Sequence, residues 1–232
     1  MTKQLQYIIF TVSILIFILL QSPYLVSYQY PFRLLGTWFH EMGHGLTALC
    51  IGGSFKYLEI YENGGGVAYF TLTNKFVPLN IGKAITAAGG LLGPAIAGTI
   101  LIAGAKSTRT AAILLRVLVG VIILSLVLWI RSYWGVIVLS LFALLFFIIT
   151  LLKNKKIEVA TLVFLGLQSI LSSYLQLDYL FTKQFERHGA IQNSDTQVIA
   201  ENTFGTYWFW GILIISISIY LIFKSFRYYF KM

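Results

Sequence analysis

The chemistry in this chain concentrates in one five-residue stretch, His40-Glu41-Met42-Gly43-His44. On a helix, histidines four residues apart share one face and sit roughly 6 Å apart along the axis, from a rise of about 1.5 Å per residue. Both imidazoles can then reach a single ion at about 2.0–2.1 Å. Glu41 falls about 60° around the helix from His44, on a period of 3.6 residues per turn. A carboxylate there reaches a water on the ion without becoming a ligand itself. Such a water ionises near pH ~7, and the carboxylate can take its proton. Two ligands and a base on one helical turn describe metal-assisted hydrolysis.

The setting sharpens that reading. The chain has three histidines and eight acidic residues, and two of those histidines flank one of those acids. Their surroundings, Leu34–Ile51, are otherwise largely apolar. Ionisable groups at membrane depth are costly, so by default they mark function. The competing reading, a polar cluster that only glues helices together, gives Glu41 no task. Gly43 and Gly45 leave room for another helix or a substrate backbone to come close.

A catalytic zinc needs a third protein ligand and one open position. The single cysteine, Cys50, excludes an internal disulfide and offers no basis for a thiolate cage. The candidates are Asp178, in Gln176-Leu177-Asp178-Tyr179, and His188, Asp195 and Glu201 in the polar stretch beyond. Asp178 is preferred, because a helix end at membrane depth is fixed where a loop residue is mobile. Its competing reading is an ordinary interfacial aspartate.

The elements that must position these groups are written in the composition. Only 11% of the residues are charged and 58% are hydrophobic, whereas soluble domains carry about a quarter charged residues. That leaves too little polar surface for a water-soluble particle. Seven apolar segments stand out, roughly 5–25, 34–51, 79–103, 111–130, 134–152, 157–177 and 207–223. Several reach the roughly 20 residues that cross a hydrocarbon core of about 30 Å. The expected fold is an all-α polytopic membrane protein of about seven transmembrane helices, one membrane domain over residues 1–232. Residues 1–30 would form an N-terminal anchor, since no small-x-small cleavage site follows the first apolar run. The catalytic core would occupy about 33–205, and 206–232 a last helix with a basic tail.

Gly52-Gly53 stops the metal-binding helix. Beyond it, Ser54–Asn74 mixes apolar and polar residues around Asn63-Gly64, a two-residue turn signal that predicts a β-hairpin. Ser194-Asp195-Thr196-Gln197 reads as a capping box opening a short helix that ends near Gly205. Asn80, Gln168 and Tyr174 are polar residues near apolar segments and read as helix-packing contacts.

The formal charge of +9 would suggest nucleic acid in a soluble protein. Here the basic residues sit at the ends of apolar runs. They read as anchors to anionic head groups, and no nucleic-acid partner is expected. With seven spans they divide ten against seven, Arg33 on the richer side and Lys3 on the poorer, a bias toward a cytoplasmic C-terminus.

These motifs together resemble the site-2 protease family of intramembrane zinc metalloproteases, in particular its small, compact bacterial-type branch. Phe39-His40-Glu41-Met42-Gly43-His44-Gly45 is similar to the family's apolar-HExxHG pattern. Gly52-Gly53 and the Gly64–Gly66 turn follow as in that branch, and Ala87–Ala95 resembles its small-residue Gly-Pro segment. Leu177-Asp178 resembles the Leu-Asp-Gly motif whose aspartate is the third zinc ligand, although Tyr179 stands in place of the glycine. The resemblance implies an integral, multi-pass protein of a bacterial cell membrane. It implies a Zn2+ ion on His40, His44 and Asp178, with Glu41 as the catalytic base. The substrate would be a transmembrane or membrane-associated protein within the lipid bilayer. The hairpin would offer its edge to an unwound substrate segment as an added strand.

Two other classes compete. A non-catalytic membrane protein of the same fold, acting as a binder or chaperone, would keep the ligands but has no use for Glu41. A metal or solute transporter would show repeat symmetry and several intramembrane carboxylates, and the sequence shows neither.

Overall fold

The computed structural model describes residues 2–174, 177–187 and 190–231. Helix α1 (Lys3–Leu20) leads into α2 (Val26–Cys50) and the strands β1 (Ser54–Ile60) and β2 (Gly66–Thr71). Four long helices follow: α3 (Leu79–Gly104), α4 (Thr108–Leu128), α5 (Tyr133–Leu151) and α6 (Lys155–Tyr174). Then come the short α7 (Leu177–Leu180), the strands β3 (Gln184–Arg187) and β4 (Ala190–Asn193), α8 (Asp195–Asn202) and the last helix, α9 (Tyr207–Phe230).

Among the described residues, five helices are long and apolar enough to cross a membrane: α1, α3, α4, α5 and α9. Where about seven spans were expected, five helices among the described residues meet this test. Polar residues keep α2 out of that set: it carries Gln29, Arg33 and the histidine motif. The outward faces of α4 and α5 expose Val127, Leu141 and Leu144, as contact with acyl chains requires.

Side-chain contacts give the bundle two distinct ends. Tyr7 stacks on Phe230 at 4.7 Å between centroids, Phe10 meets Phe226 at 5.0 Å, and the Gln6 amide donates to the Tyr229 carbonyl at 3.2 Å. α1 is therefore antiparallel to α9, and both termini share one end. The Lys106 ammonium lies 4.3 Å over the Tyr228 ring, which brings the α3–α4 link to the same end. α6 runs antiparallel to α3: Ser169 donates to the Pro94 carbonyl at 2.8 Å, and Gly166 packs on Gly98 and Ile102. Its first turn thus joins the terminal end as well.

This arrangement changes the reading of the second apolar segment. α2 connects the far end of α1 to the start of α3, so it enters and leaves the bundle at the same end. Its contacts pass sideways from helix to helix. Gln29 exchanges amide hydrogen bonds with Gln168 of α6 at 2.9 and 3.2 Å. Phe32 meets Phe142 of α5, the Trp38 indole donates to Ser125 of α4 at 2.9 Å, and Gly43 touches Gly89 of α3. Gln168 is thus the packing contact expected of it. Asn80 donates to the Asn202 carbonyl at 3.4 Å, and the Tyr174 side chain lies outside the described part.

Small residues set how closely α2 and α3 approach. A Cβ on Gly93 would stand 2.6 Å from the Phe39 carbonyl oxygen, and one on Gly90 would enter the His44 ring. The Gly-Pro segment is therefore a packing face pressed against the motif helix, as small-residue interfaces in membranes are.

The first hairpin forms as expected, with a longer turn. Leu58 pairs with Ala68 and Ile60 with Gly66. Residues Tyr61–Gly65 connect the strands, with Gly64 at φ 87° and the Asn63 side chain accepting from the Gly65 N–H at 3.0 Å. One face of α2 grips this turn. The Tyr30 hydroxyl donates to the Glu62 carbonyl at 2.8 Å, Arg33 to the Asn63 carbonyl, and Thr37 to the Gly64 carbonyl at 2.6 Å. The outer edge of β1 is tied to the α4–α5 link, with Leu58 N–H on the Trp129 carbonyl at 2.8 Å and Arg131 N–H on the Leu58 carbonyl at 3.0 Å. The second hairpin, β3–β4, has no counterpart among the sequence expectations. The short helix after it does: Ser194 caps α8 by accepting from the Gln197 N–H at 3.3 Å.

Candidate metal centre

His40 and His44 sit on α2 where it faces α3 and α8. His44 Nδ1 is 2.9 Å from the Thr86 carbonyl oxygen of α3. A carbonyl only accepts, so Nδ1 carries the proton and the neutral ring keeps a lone pair on Nε2. That nitrogen lies 3.0 Å from His40 Nε2 and 3.4 Å from Asp195 Oδ2, and His40 Nε2 lies 3.2 Å from the same oxygen. Among the described residues these three side chains form the group able to hold a metal ion. Ligands about 2.0–2.1 Å from a tetrahedral zinc stand about 3.3 Å apart. The three separations match that edge length. Electron-rich atoms this close repel unless a cation or a proton lies between them.

Asp195 is delivered by a tied-down helix start. Ser194 N–H donates to the Lys183 carbonyl at 3.1 Å, and the Thr196 hydroxyl to the Leu180 carbonyl at 3.0 Å. Tyr179 then holds the aspartate twice. Its hydroxyl donates to Asp195 Oδ2 at 3.1 Å and accepts from the Asp195 N–H at 3.3 Å, while its ring packs edge-on to His40. Burial, and then the Asp195 charge, push the Tyr179 phenol well above its ordinary value, so it remains a donor at neutral pH. Burial alone would raise the Asp195 carboxyl, but the charge of the His44 and His40 rings when protonated, with their hydrogen bonds, holds it well below the usual carboxylate range. A partner that orients a ligand from behind is the usual support of a metal site.

Glu41, nearly fully buried, lies beside the first hairpin. A Cβ on Gly66 would stand 2.9 Å from Glu41 Oε1, so only glycine lets the strand come this near. A cavity of about 940 Å³ opens over the group, walled by α2, β2, α7 and the second hairpin. Among the described residues Arg33 and Lys83 and the carboxylates Glu41, Asp178, Glu186 and Asp195 line it. The donor set of two imidazoles and a carboxylate is one that zinc takes. Polar residues on the wall include Gln29, Thr37 and Asn63.

The sequence expectations meet this geometry unevenly. His40, His44 and Glu41 fall where they were expected. Asp178 does not join the imidazoles. It is exposed at the cavity rim, and its carbonyl accepts from the Thr182 hydroxyl at 2.6 Å. Asp195, one of the alternatives, takes the place beside the histidines. Glu201 bonds instead with Gln197 and Asn193, each at 2.8 Å, and His188 lies outside the described residues. A capped helix start fixes the Asp195 side chain as firmly as a membrane helix end would fix that of Asp178. Sequence reasoning misses Thr86 and Tyr179 as supports. The one signal for Tyr179 is its departure from the glycine of the family pattern.

The family described as Peptidase M50B-like matches the chain over residues 9–225. No curated protein and no solved structure matches it.

In purified protein, Asp195→Asn should lose most bound zinc while Asp178→Asn keeps it, as measured by elemental analysis. In the same preparation Tyr179→Phe should weaken zinc affinity about 10–100-fold without unfolding the chain.

Proposed function

The chain belongs to the Peptidase M50B-like family, which bears out the site-2 protease resemblance, and from this premise we propose that it is an intramembrane zinc metalloprotease. Its substrates would be peptide bonds in membrane-embedded or membrane-associated proteins, and residues 1–232 would act as one membrane domain. The observation that carries this reading is the convergence of His40 Nε2, His44 Nε2 and Asp195 Oδ2 at 3.0–3.4 Å, with Glu41 on the same helical turn. In this reading the three side chains hold the zinc, and Asp195 takes the ligand role first assigned to Asp178.

A zinc ion there supplies Lewis acidity toward water and the scissile carbonyl. The rest falls to the chain. Glu41 accepts the proton of the attacking water and returns it to the leaving nitrogen. Thr86 fixes the tautomer of His44, and Tyr179 fixes the carboxylate of Asp195. Both supports are hydrogen-bonded to their partners without substrate, so little reorganisation is needed during the reaction.

The substrate must be unwound, because helical carbonyls are hydrogen-bonded and shielded. β2 suits that task. Leu58 spends its N–H and carbonyl on the α4–α5 link, so Leu58 and Ala68 are a non-hydrogen-bonded pair. By the same alternation Gly66 and Ala68 turn their N–H and carbonyl groups outward, toward the cavity. Among the described residues no hydrogen bond engages those groups. An extended peptide can pair there as an added strand, a few ångströms from Glu41.

Glu41→Gln should retain zinc and lose hydrolysis by at least about 100-fold, the size of effect typical of a lost general base. Cleavage at the wild-type rate would remove Glu41 from the mechanism. Ala68→Pro deletes one outward N–H and should raise KM for a peptide substrate while zinc content stays constant. An unchanged KM would dispose of strand addition.

A further inference from the structure

The cavity over the metal centre is a groove with one closed end. On α2 it is lined by Gln29, Arg33, Thr37 and His40, and His44 is the last residue of that helix to reach it among the described residues. Gln29 and His44 stand fifteen residues apart, roughly 22 Å at about 1.5 Å per residue. An extended peptide covers that length in about six or seven residues, at about 3.3 Å each. Beyond His44, α3 shuts the passage. A Cβ on Gly90 would enter the His44 ring, and one on Gly89 would overlap the Thr47 hydroxyl. The two histidines and Asp195 therefore sit at the closed end, with most of the groove to one side of them.

The wall changes character there. Along the groove it offers the polar side chains of Gln29, Arg33, Thr37 and Asn63. At the closed end it offers Phe70 of β2, Ala87 of α3 and Val198 of α8. Each comes from an element that already shapes the metal centre. Gly66 faces Glu41, and Phe70, four residues along the same strand, shares that face. Its ring lies within 17° of parallel to the His44 ring, at 6.4 Å between centroids. Ala87 follows Thr86, whose carbonyl accepts from His44. Val198 is three residues beyond Asp195, on the same side of α8. Lys83, one turn before Ala87, also lines the cavity, but it is exposed, so its ammonium reaches water and leaves this floor apolar.

From this arrangement we infer that Phe70, Ala87 and Val198 form a specificity subsite, which takes one aliphatic side chain from a residue flanking the scissile bond. The inference rests on the peptidase reading and deepens it. A strand paired to the outer edge of β2 runs between Gly66 and Phe70, so it delivers its chain to the closed end. Successive side chains of a strand point to opposite faces. Only one of the two residues flanking the cleaved bond can therefore enter the subsite. An aliphatic side chain gains by leaving water there, and a charged one would lose its hydration with no partner among these three residues. Ala87 sets the depth of the floor, because any larger aliphatic residue at that position would occupy it.

The test measures binding and cleavage separately. Serine-alanine host peptides of about eight residues, slightly longer than the groove, carry a single Leu, Asp or Trp moved through each position. Fluorescence anisotropy reads their affinity for zinc-loaded Glu41→Gln protein. Leu at one position should bind at least about 10-fold tighter than Ala there, and Asp more weakly than Ala. In the same background Ala87→Leu should cancel the advantage of Leu, and Val198→Ala should widen the subsite and admit Trp, with zinc content unchanged in both. Equal affinity wherever Leu stands, or a Leu preference that both variants leave intact, would overturn the inference. The wild-type chain separates the subsite from the reading it rests on. Cleavage beside the preferred residue supports both. Binding in the expected order with no peptide cleaved keeps the subsite and removes the peptidase. Cleavage indifferent to the flanking residue removes the subsite and keeps the peptidase.

Discussion

Everything at the centre of this protein depends on how closely α2 and α3 approach. Gly43, Gly89, Gly90 and Gly93 remove the side chains that would hold the two helices apart. Only at that separation can His44 reach the Thr86 carbonyl while its other nitrogen faces His40 and Asp195. In lipid, helix association draws little on hydrophobic burial and depends on packing and interhelical hydrogen bonds. The small-residue stripe supplies the first, and the Thr86–His44 bond is one of the second. A larger residue at position 90 would displace the imidazole itself.

A second constraint follows from the first. Polar groups this deep need either water or partners. The chain solves this by laying α2 across one end of the bundle, so that its polar face looks into a cavity. One stripe of α2 does the work in sequence: Tyr30, Arg33 and Thr37 hold the hairpin turn, then Glu41 and His44 face the centre. The hairpin is thereby fixed against the helix that carries the chemistry. One of its edges is committed to the α4–α5 link and the other is turned to the cavity.

Much of this is legible in the residues. The i, i+4 histidines, the glutamate between them, the hairpin after Gly52-Gly53 and the capped helix at Ser194 all depend on local spacing, and local spacing survives folding. The carboxylate that joins the two histidines does not depend on it. Asp178 and Asp195 both follow α6 in the chain, and only the β3–β4 hairpin between them decides which one returns to the histidines. That hairpin has no strong turn signal, and its pairing is a tertiary fact. The path of α2 is equally hidden. A segment of this length reads as a span until the antiparallel contact of α1 with α9 shows that its two ends meet the same side.

The most direct test of the account is zinc K-edge X-ray absorption on the detergent-purified wild-type chain. The account predicts about one zinc per chain, with two imidazole nitrogens and oxygen ligands at about 2.0–2.2 Å and no sulfur. A protein that binds no stoichiometric zinc, or a first shell lacking paired imidazoles, would contradict it.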